Sequence, residues 1–444
     1  MTLKFGTDGV RGHADELSDD LVYALGRAAV RVLGGTRMAI GMDTRESGPR
    51  IQHALRLGVE AEGVVVDFLG VVPTPAVAFF AARERVPGAM ISASHNPYYD
   101  NGIKFFVAGG LKLSDETESR LEEELARILP AATDRDPTRD DGDQPDRCRI
   151  EQYEQALIDS IGGRRLDGLR VVIDCANGAA SMLAPEVLRS LGADVVAIHA
   201  SPDGRNINEA CGSTDPRDLQ AAVTRYGAEV GLAFDGDADR VIAVDEHGEL
   251  VDGDQIIAMC AVDRKSRGLL PGPAVVVTVM SNLGFRLAMR EHGIEVIETN
   301  VGDRYVLEAL EQRDLILGGE QSGHIIFRDL ATTGDGLLTG VQVLDLLVRR
   351  QKPLSELASV MTKFPQVLKN VAVALPDHDV LRAIADLVAD EEAKLGDFGR
   401  VLVRPSGTEP LVRVMVEAKD FVAAEAAAKR LADAVSAVCG AARS

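Results

Sequence analysis

What the chain lacks narrows its class first. Five cysteines, Cys148, Cys175, Cys211, Cys260 and Cys439, stand far apart in 444 residues. No close pair offers the spacing of a zinc motif or a disulfide framework, so a reducing cytoplasm is the expected compartment. Basic residues are in deficit: 48 Lys plus Arg against 69 Asp plus Glu give a formal charge of −21. That balance argues against nucleic acid or anionic membrane as partners, and any anionic ligand must be gathered by local basic groups. Long apolar runs are missing too, and the opening MTLKFGTDGVRG has no apolar signal core. Neither membrane spanning nor secretion is expected.

What is present is globular, 46% hydrophobic and long enough for roughly three domains. Strand-like runs (RMAIGM, GVVVDFLG, GAMIS) alternate with helical stretches such as DDLVYALGRAAVRVLG, which predicts parallel α/β layering. A segment rich in Pro, Gly and Asp, residues 131–146, marks a boundary and closes a first α/β domain at 1–150. The alternation restarts at LRVVIDCANGAASMLAPEVLRSLGADVVAI and again at PAVVVTVMSNLGFRLAMREHGIEVIET, giving α/β domains at 151–252 and 253–365. Residues 366–444 read instead as strand, helix, two close strands and an alanine-rich helix. That order predicts a smaller α+β domain with an antiparallel pair.

Four stretches carry chemistry. In ISASHNP, Pro97 lacks a backbone donor and forces a turn after Ser94 and His95, so a hydroxyl stands at a strand's end. Such a serine can simply satisfy a neighbouring amide. FDGDADR sets Asp235, Asp237 and Asp239 between two strand-like runs. Hard oxygen ligands so arranged suit Mg²⁺ or Ca²⁺, and without a cation they repel. An EF-hand register would reach Glu246, but Arg240 stands where the loop needs glycine and the flanks are not helical. Mg²⁺ bound by three carboxylates still needs oxygen ligands, and a phosphoryl group on Ser94 would be both ligand and cargo.

LGGEQSGHIIF alternates Glu320, Ser322 and His324 among glycines that let backbone approach a ligand, a pattern suited to sugar hydroxyls. RPSGTEPLVR places Ser406, Gly407 and Thr408 between Arg404 and Arg413, the makings of an anion nest. Weaker signals are Arg11 after a Gly-rich turn, Gly302, Asp303 and Arg304 in VGDRYV, and Lys104 as an acid or electrostatic partner.

Together SASHNP, DGDADR, GEQSGH and RPSGTEP, in this order, resemble the α-D-phosphohexomutases, from Phe5 to the final helix. FGTDGVRG, YYDNGIKFF and Gln321 are most similar to the bacterial branch acting on glucosamine phosphates. The resemblance implies an α/β fold of three related α/β domains plus a C-terminal α+β domain around a central cleft. It implies Ser94 as phosphorylated nucleophile and, with Asp235, Asp237 and Asp239, as ligand of one Mg²⁺ per subunit. Glu320 and Ser322 would bind sugar, and Arg404, Ser406, Gly407, Thr408 and Arg413 would bind phosphate. Arg11, His95, Lys104, Arg240 and His324 would line the same cleft, with Gly302 and Asp303 beside them.

The activity so implied interconverts glucosamine 6-phosphate and glucosamine 1-phosphate and feeds UDP-N-acetylglucosamine and cell-wall precursors. Glucosamine or glucose 1,6-bisphosphate would be the activator. An activating kinase and a homodimer partner are further expectations; nucleic acid and membrane are not. A phosphomannomutase or phosphoglucomutase, a sugar-phosphate phosphatase, and a non-catalytic sensor remain open alternatives.

Overall fold

The computed structural model describes residues 9–129, 145, 147–373, 378–405 and 411–441. Of the expected boundary at 131–146 only Pro145 is among them, and Phe5, Ser406, Gly407 and Thr408 lie outside them. The chain forms two compact units, one of Met1–Met280 with Ile294–Val360, the other of Ser281–Gly293 with Met361–Ser444.

The first unit holds three sheets. The first contains β1 (Val10–His13), β2 (Arg37–Met42), β3 (Val65–Val71), β4 (Gly88–Ile91) and β5 (Asp100–Phe106), in the order β1-β5-β4-β2-β3. The second contains β6 (Arg170–Asp174), β7 (Asp194–Ile198), β8 (Val230–Phe234), β9 (Val241–Asp245) and β10 (Leu250–Val251), in the order β10-β9-β8-β6-β7. The third contains β11 (Ala274–Thr278), β12 (Glu295–Thr299), β13 (Leu317–Gly319) and β14 (Ile325–Phe327), in the order β12-β11-β13-β14.

One plan recurs in all three. A central strand pairs in parallel on both sides, and a fourth strand returns antiparallel beside one of those neighbours: β4 to β5, β8 to β9, β13 to β14. The sequence predicts parallel layering throughout, and here the sheets differ by being mixed. The cause is the short connections at 92–99, 235–240 and 320–324, which leave no room for the crossover helix a parallel return needs.

Local chemistry sets the helices between them. Ser18 accepts the Leu21 N–H at 3.3 Å and starts helix Asp19–Leu33, whose first turn is acidic and whose Val22, Leu25, Ala28 and Ala29 are buried. Asp252 and Gln255 close a capping box on helix Gly253–Ser266. Among the described residues no helix is long and apolar enough to cross a membrane.

The second unit contains the antiparallel sheet β15-β17-β16, with β15 Gln366–Ala372, β16 Arg400–Pro405 and β17 Leu411–Glu417. Helix Phe421–Ala441 packs on it over a core including Val371, Val412, Val414 and Leu431. The single helix expected between the strands of this domain is two, His378–Ala383 and Ala385–Leu395. Helix Leu283–Glu291 also belongs here: Asn282 donates to Phe364 O at 3.0 Å, and Glu417 accepts from the Asn282 amide and the Leu283 N–H.

Candidate active site

Ser94 sits in the connection from β4 to β5, 2% exposed, with φ of 52°. A left-handed serine costs about 1–2 kcal/mol and persists only where its surroundings fix it. They do so by hydrogen bonds from well outside the turn. Arg45, fully buried, fans its guanidinium over the turn's carbonyls: to Ser94 O at 2.9 Å, Asn96 O at 2.8 Å, Asp100 O at 3.0 Å, and also to Pro97 O. Its Nε binds Asp43 Oδ2 at 2.9 Å. The same oxygen accepts from Ser92 Oγ at 2.6 Å, which in turn accepts the Ser94 N–H at 2.9 Å. Asn208 donates to Ser94 O at 2.9 Å and Asn96 O at 3.0 Å.

The Ser94 hydroxyl donates to Asp235 Oδ2 at 2.8 Å, joining the first sheet's turn to the second's. One carboxylate oxygen each from Asp235, Asp237 and Asp239 lies within 4.8 Å of the others, all three residues buried. Thr74 Oγ1 and Lys104 Nζ bind Asp237 Oδ2 at 2.6 and 2.8 Å, and Lys104 is 3.6 Å from Asp239. Burial and the neighbouring Asp239 and Asp237 charges push Asp235 well above the usual carboxylate range. Asp239, although burial opposes it, is held well below that range by Lys104 and His324. Asp237 Oδ1 and Asp239 Oδ1 are buried with no hydrogen bond. Buried carboxylate oxygens without donors are costly unless a cation takes them, so these residues fit a hard divalent ion.

His95 Nδ1 lies 3.2 Å from Ser94 Oγ and 3.3 Å from the Arg240 guanidinium. Burial, then the Arg240 and Arg11 charges, push His95 down to about 4. The imidazole is therefore neutral near pH 7, and because Arg240 only donates, Nδ1 is its acceptor nitrogen. The Arg240 backbone N–H donates to Asp235 Oδ1 at 3.2 Å.

The third turn meets the other two through His324, whose Nδ1 is 3.6 Å from Asp239 and whose Nε2 is 3.3 Å from Asp303. Asp303 pairs with Lys112. Glu320 Oε1 accepts the Gly302 N–H at 3.1 Å. Gly323 (φ 93°) lies so close to β9 that a Cβ there would come within 2.2 Å of Val241 O. Ser322 is exposed. Arg304 turns away to Asp115 and Glu118.

The expected residues of the first unit, Ser94, His95, Lys104, Arg11, Arg240, Asp235, Asp237, Asp239, Gly302, Asp303, Glu320 and His324, thus form one charged network. In the second unit Arg404 and Arg413 stand directly opposite on β16 and β17, and burial with the Arg413 charge lowers Arg404. Like charges so paired favour an anion between them. Sequence reasoning misses Asp43, Arg45, Thr74, Ser92 and Asn208. The one available signal was the pair Asp43 and Arg45 directly after the apolar run of β2.

Descriptions of the phosphoglucomutase/phosphomannomutase family match the chain at 2–131 (α/β/α domain I), 151–248 (domain II), 252–364 (domain III) and 349–435 (C-terminal domain). A Thermobifida fusca protein named phosphoglucosamine mutase is 53% identical over 447 residues, covering 98% of each chain. A protein of the same name from Symbiobacterium thermophilum is 51% identical over 446 residues, covering 98% of this chain and 99% of that one. A phosphoglucomutase/phosphomannomutase family protein from Burkholderia thailandensis has the same fold at TM-score 0.79 and 26% identity, covering 98% of both chains. The Aspergillus fumigatus N-acetylphosphoglucosamine mutase, solved with GlcNAc-6P and magnesium, shares the fold at TM-score 0.70 and 20% identity, covering 99% of this chain and 96% of that one. Four domains in order, and relatives at least half identical along nearly its whole length, mean that the chain belongs to the phosphoglucomutase/phosphomannomutase family.

Proposed function

We propose that the chain interconverts glucosamine 6-phosphate and glucosamine 1-phosphate by way of a phosphorylated Ser94 and a 1,6-bisphosphate. The observation that carries this reading is the Ser94 hydroxyl 2.8 Å from Asp235, at the edge of a buried carboxylate triad. The names of relatives 51–53% identical support the choice of sugar.

On this reading residues 1–150 carry the phosphoserine turn, 151–252 the metal turn, 253–365 the sugar turn and 366–444 the phosphate loop. Ser94 gives its phosphoryl group to O1 of glucosamine 6-phosphate; the bisphosphate reorients and returns its O6 phosphoryl to Ser94. Asp235, Asp237 and Asp239 would hold one Mg²⁺, which would supply neutralisation of the charge on the group in transit. Lys104 and Arg240 add fixed positive charge, and neutral His95 together with Arg45 holds the serine in place. Glu320, Ser322 and His324 orient the sugar, while Arg404 and Arg413, with Ser406, Gly407 and Thr408, hold the phosphate that is not reacting. Glucosamine or glucose 1,6-bisphosphate, or a kinase, first loads Ser94.

The test is phosphorus NMR of the protein with Mg²⁺, a trace of hexose 1,6-bisphosphate and equal glucosamine, glucose and mannose 6-phosphates. Glucosamine 1-phosphate is expected to form fastest. Another anomeric phosphate forming first overturns the choice of sugar, and inorganic phosphate alone replaces the mutase with a phosphatase.

A further inference from the structure

A second group of metal-type ligands lies outside the network described above. Asp174 ends β6, His199 follows β7 and Cys211 precedes the short turn Gly212–Thr214. Parallel pairing of Asp174 with Ile198 brings the first two together. The Gly212 N–H, bound to Asp174 Oδ2 at 2.9 Å, brings in the third. One ligand atom of each residue lies within 4.8 Å of the others. Asp174 and Cys211 are fully buried and the His199 side chain is 21% exposed.

We propose that Asp174, His199 and Cys211 form a second cation site, for a zinc-type ion, separate from the three-aspartate site. A carboxylate, an imidazole and a thiol make a mixed donor set that favours a borderline-soft ion over Mg²⁺. Asp218 Oδ2 stands 3.2 Å from His199 Nε2, the carboxylate support that ligating histidines characteristically have, which leaves Nδ1 for the ion. Ala176 and Gly212 N–H groups at 2.9 Å fix both oxygens of Asp174. The partly exposed imidazole gives an entry path, and the fourth position falls to water. An ordinary thiol carries its proton at neutral pH, and binding the ion as thiolate releases that proton to solvent.

The site has a structural consequence for Ser94. Ala176, Asn177, His199, Asn208 and Ala210 all have left-handed φ, between 47° and 59°. Asn177 N–H binds His199 O at 2.6 Å, and Asn208 N–H binds Ala176 O at 2.9 Å. An ion would staple this connection at both ends of the stretch that carries Asn208, whose amide grips the carbonyls of Ser94 and Asn96. It would act on turnover by positioning, without touching substrate.

Cobalt(II) titration of the whole protein, followed by thiolate-to-cobalt charge-transfer absorption, tests the proposal. The wild type is expected to show the band at one equivalent, with release of about one proton per ion, and Zn²⁺ should abolish it by displacement. Asp237→Asn should keep the band, which separates the two sites, and Cys211→Ser should lose it. His199→Asn, a residue type that tolerates left-handed backbone, should preserve the fold and weaken cobalt binding at least tenfold, so it decides the matter if Cys211→Ser does not fold. No band in the wild type, or a band that survives Cys211→Ser or is undiminished in His199→Asn, overturns the proposal.

Discussion

The turn carrying Ser94 and the turn carrying Glu320 and His324 occupy the same place in two copies of one strand order, yet opposite means hold them. Side chains from elsewhere grip the first: Arg45 and Asn208 bind its carbonyls, and the serine is buried. The second is set mainly by backbone packing, with Gly323 against Val241 and Gly253 against Glu320 O; His324 is buried between Asp239 and Asp303, while Glu320 is half-buried and Ser322 exposed. On the proposed reading the contrast matches two tasks. A group that gives and receives a phosphoryl must stand at one point, whereas groups that meet a sugar in two orientations gain from freedom at their tips.

The largest expected effect breaks the first turn at its centre. Ser94→Ala should lower mutase turnover by about 10⁴-fold or more with unchanged thermal unfolding; wild-type turnover in a coupled assay would remove Ser94 from the chemistry. Next comes the grip. Arg45→Lys keeps a charge beside Asp43 but loses the fan of bonds, so kcat should fall about 10²-fold with KM nearly constant. A change confined to KM would mean that the grip serves binding rather than placement.

At the second turn the effect should be smaller and of another kind. Glu320→Ala should raise KM about tenfold and spare most of kcat, measurable with glucosamine 6-phosphate as the varied substrate. An equal loss in kcat would erase the distinction between the turns.

The smallest effect lies behind the second turn. Asp335 caps helix Gly336–Arg350, accepts from Tyr153 at 2.8 Å and follows Gly334, whose N–H binds His324 Nε2 at 3.2 Å. Burial raises Asp335 to about 6 despite these donors. A raised carboxyl contributes its full stability below its unfolded value, and that contribution fades as pH rises through about 6. Asp335→Asn, which still caps, should therefore gain about 2 kcal/mol on the wild type at pH 7 compared with pH 4. Urea unfolding at the two pH values checks this, and a constant difference contradicts the shift.

Much of this was legible in the sequence, for identifiable reasons. Asp235, Asp237 and Asp239 are neighbours in the chain, so their spacing alone shows the carboxylate cluster, and Pro97 marks the turn at Ser94. Strand direction was not legible, because an apolar run such as VIAVD looks the same whether it pairs parallel or antiparallel. Arg45 was hidden because the carbonyls it binds lie 49 to 55 residues away. Scattered cysteines argue against a metal motif by spacing, yet Cys211 meets Asp174 and His199 only after β6 and β7 have paired.

The recurring strand order also bears on how such a protein can change. On the proposed reading, nucleophile, cation ligands and sugar contacts each sit at the return into an antiparallel strand, on equivalent scaffolds. On that reading a lineage can rewrite Glu320 and Ser322 for a new hexose while keeping Gly323 against Val241 and His324 beside Asp239, and so leave the transferring turns untouched. Specificity and chemistry are then inherited as independent traits, and broad sugar diversity around one reaction is what this architecture makes easy.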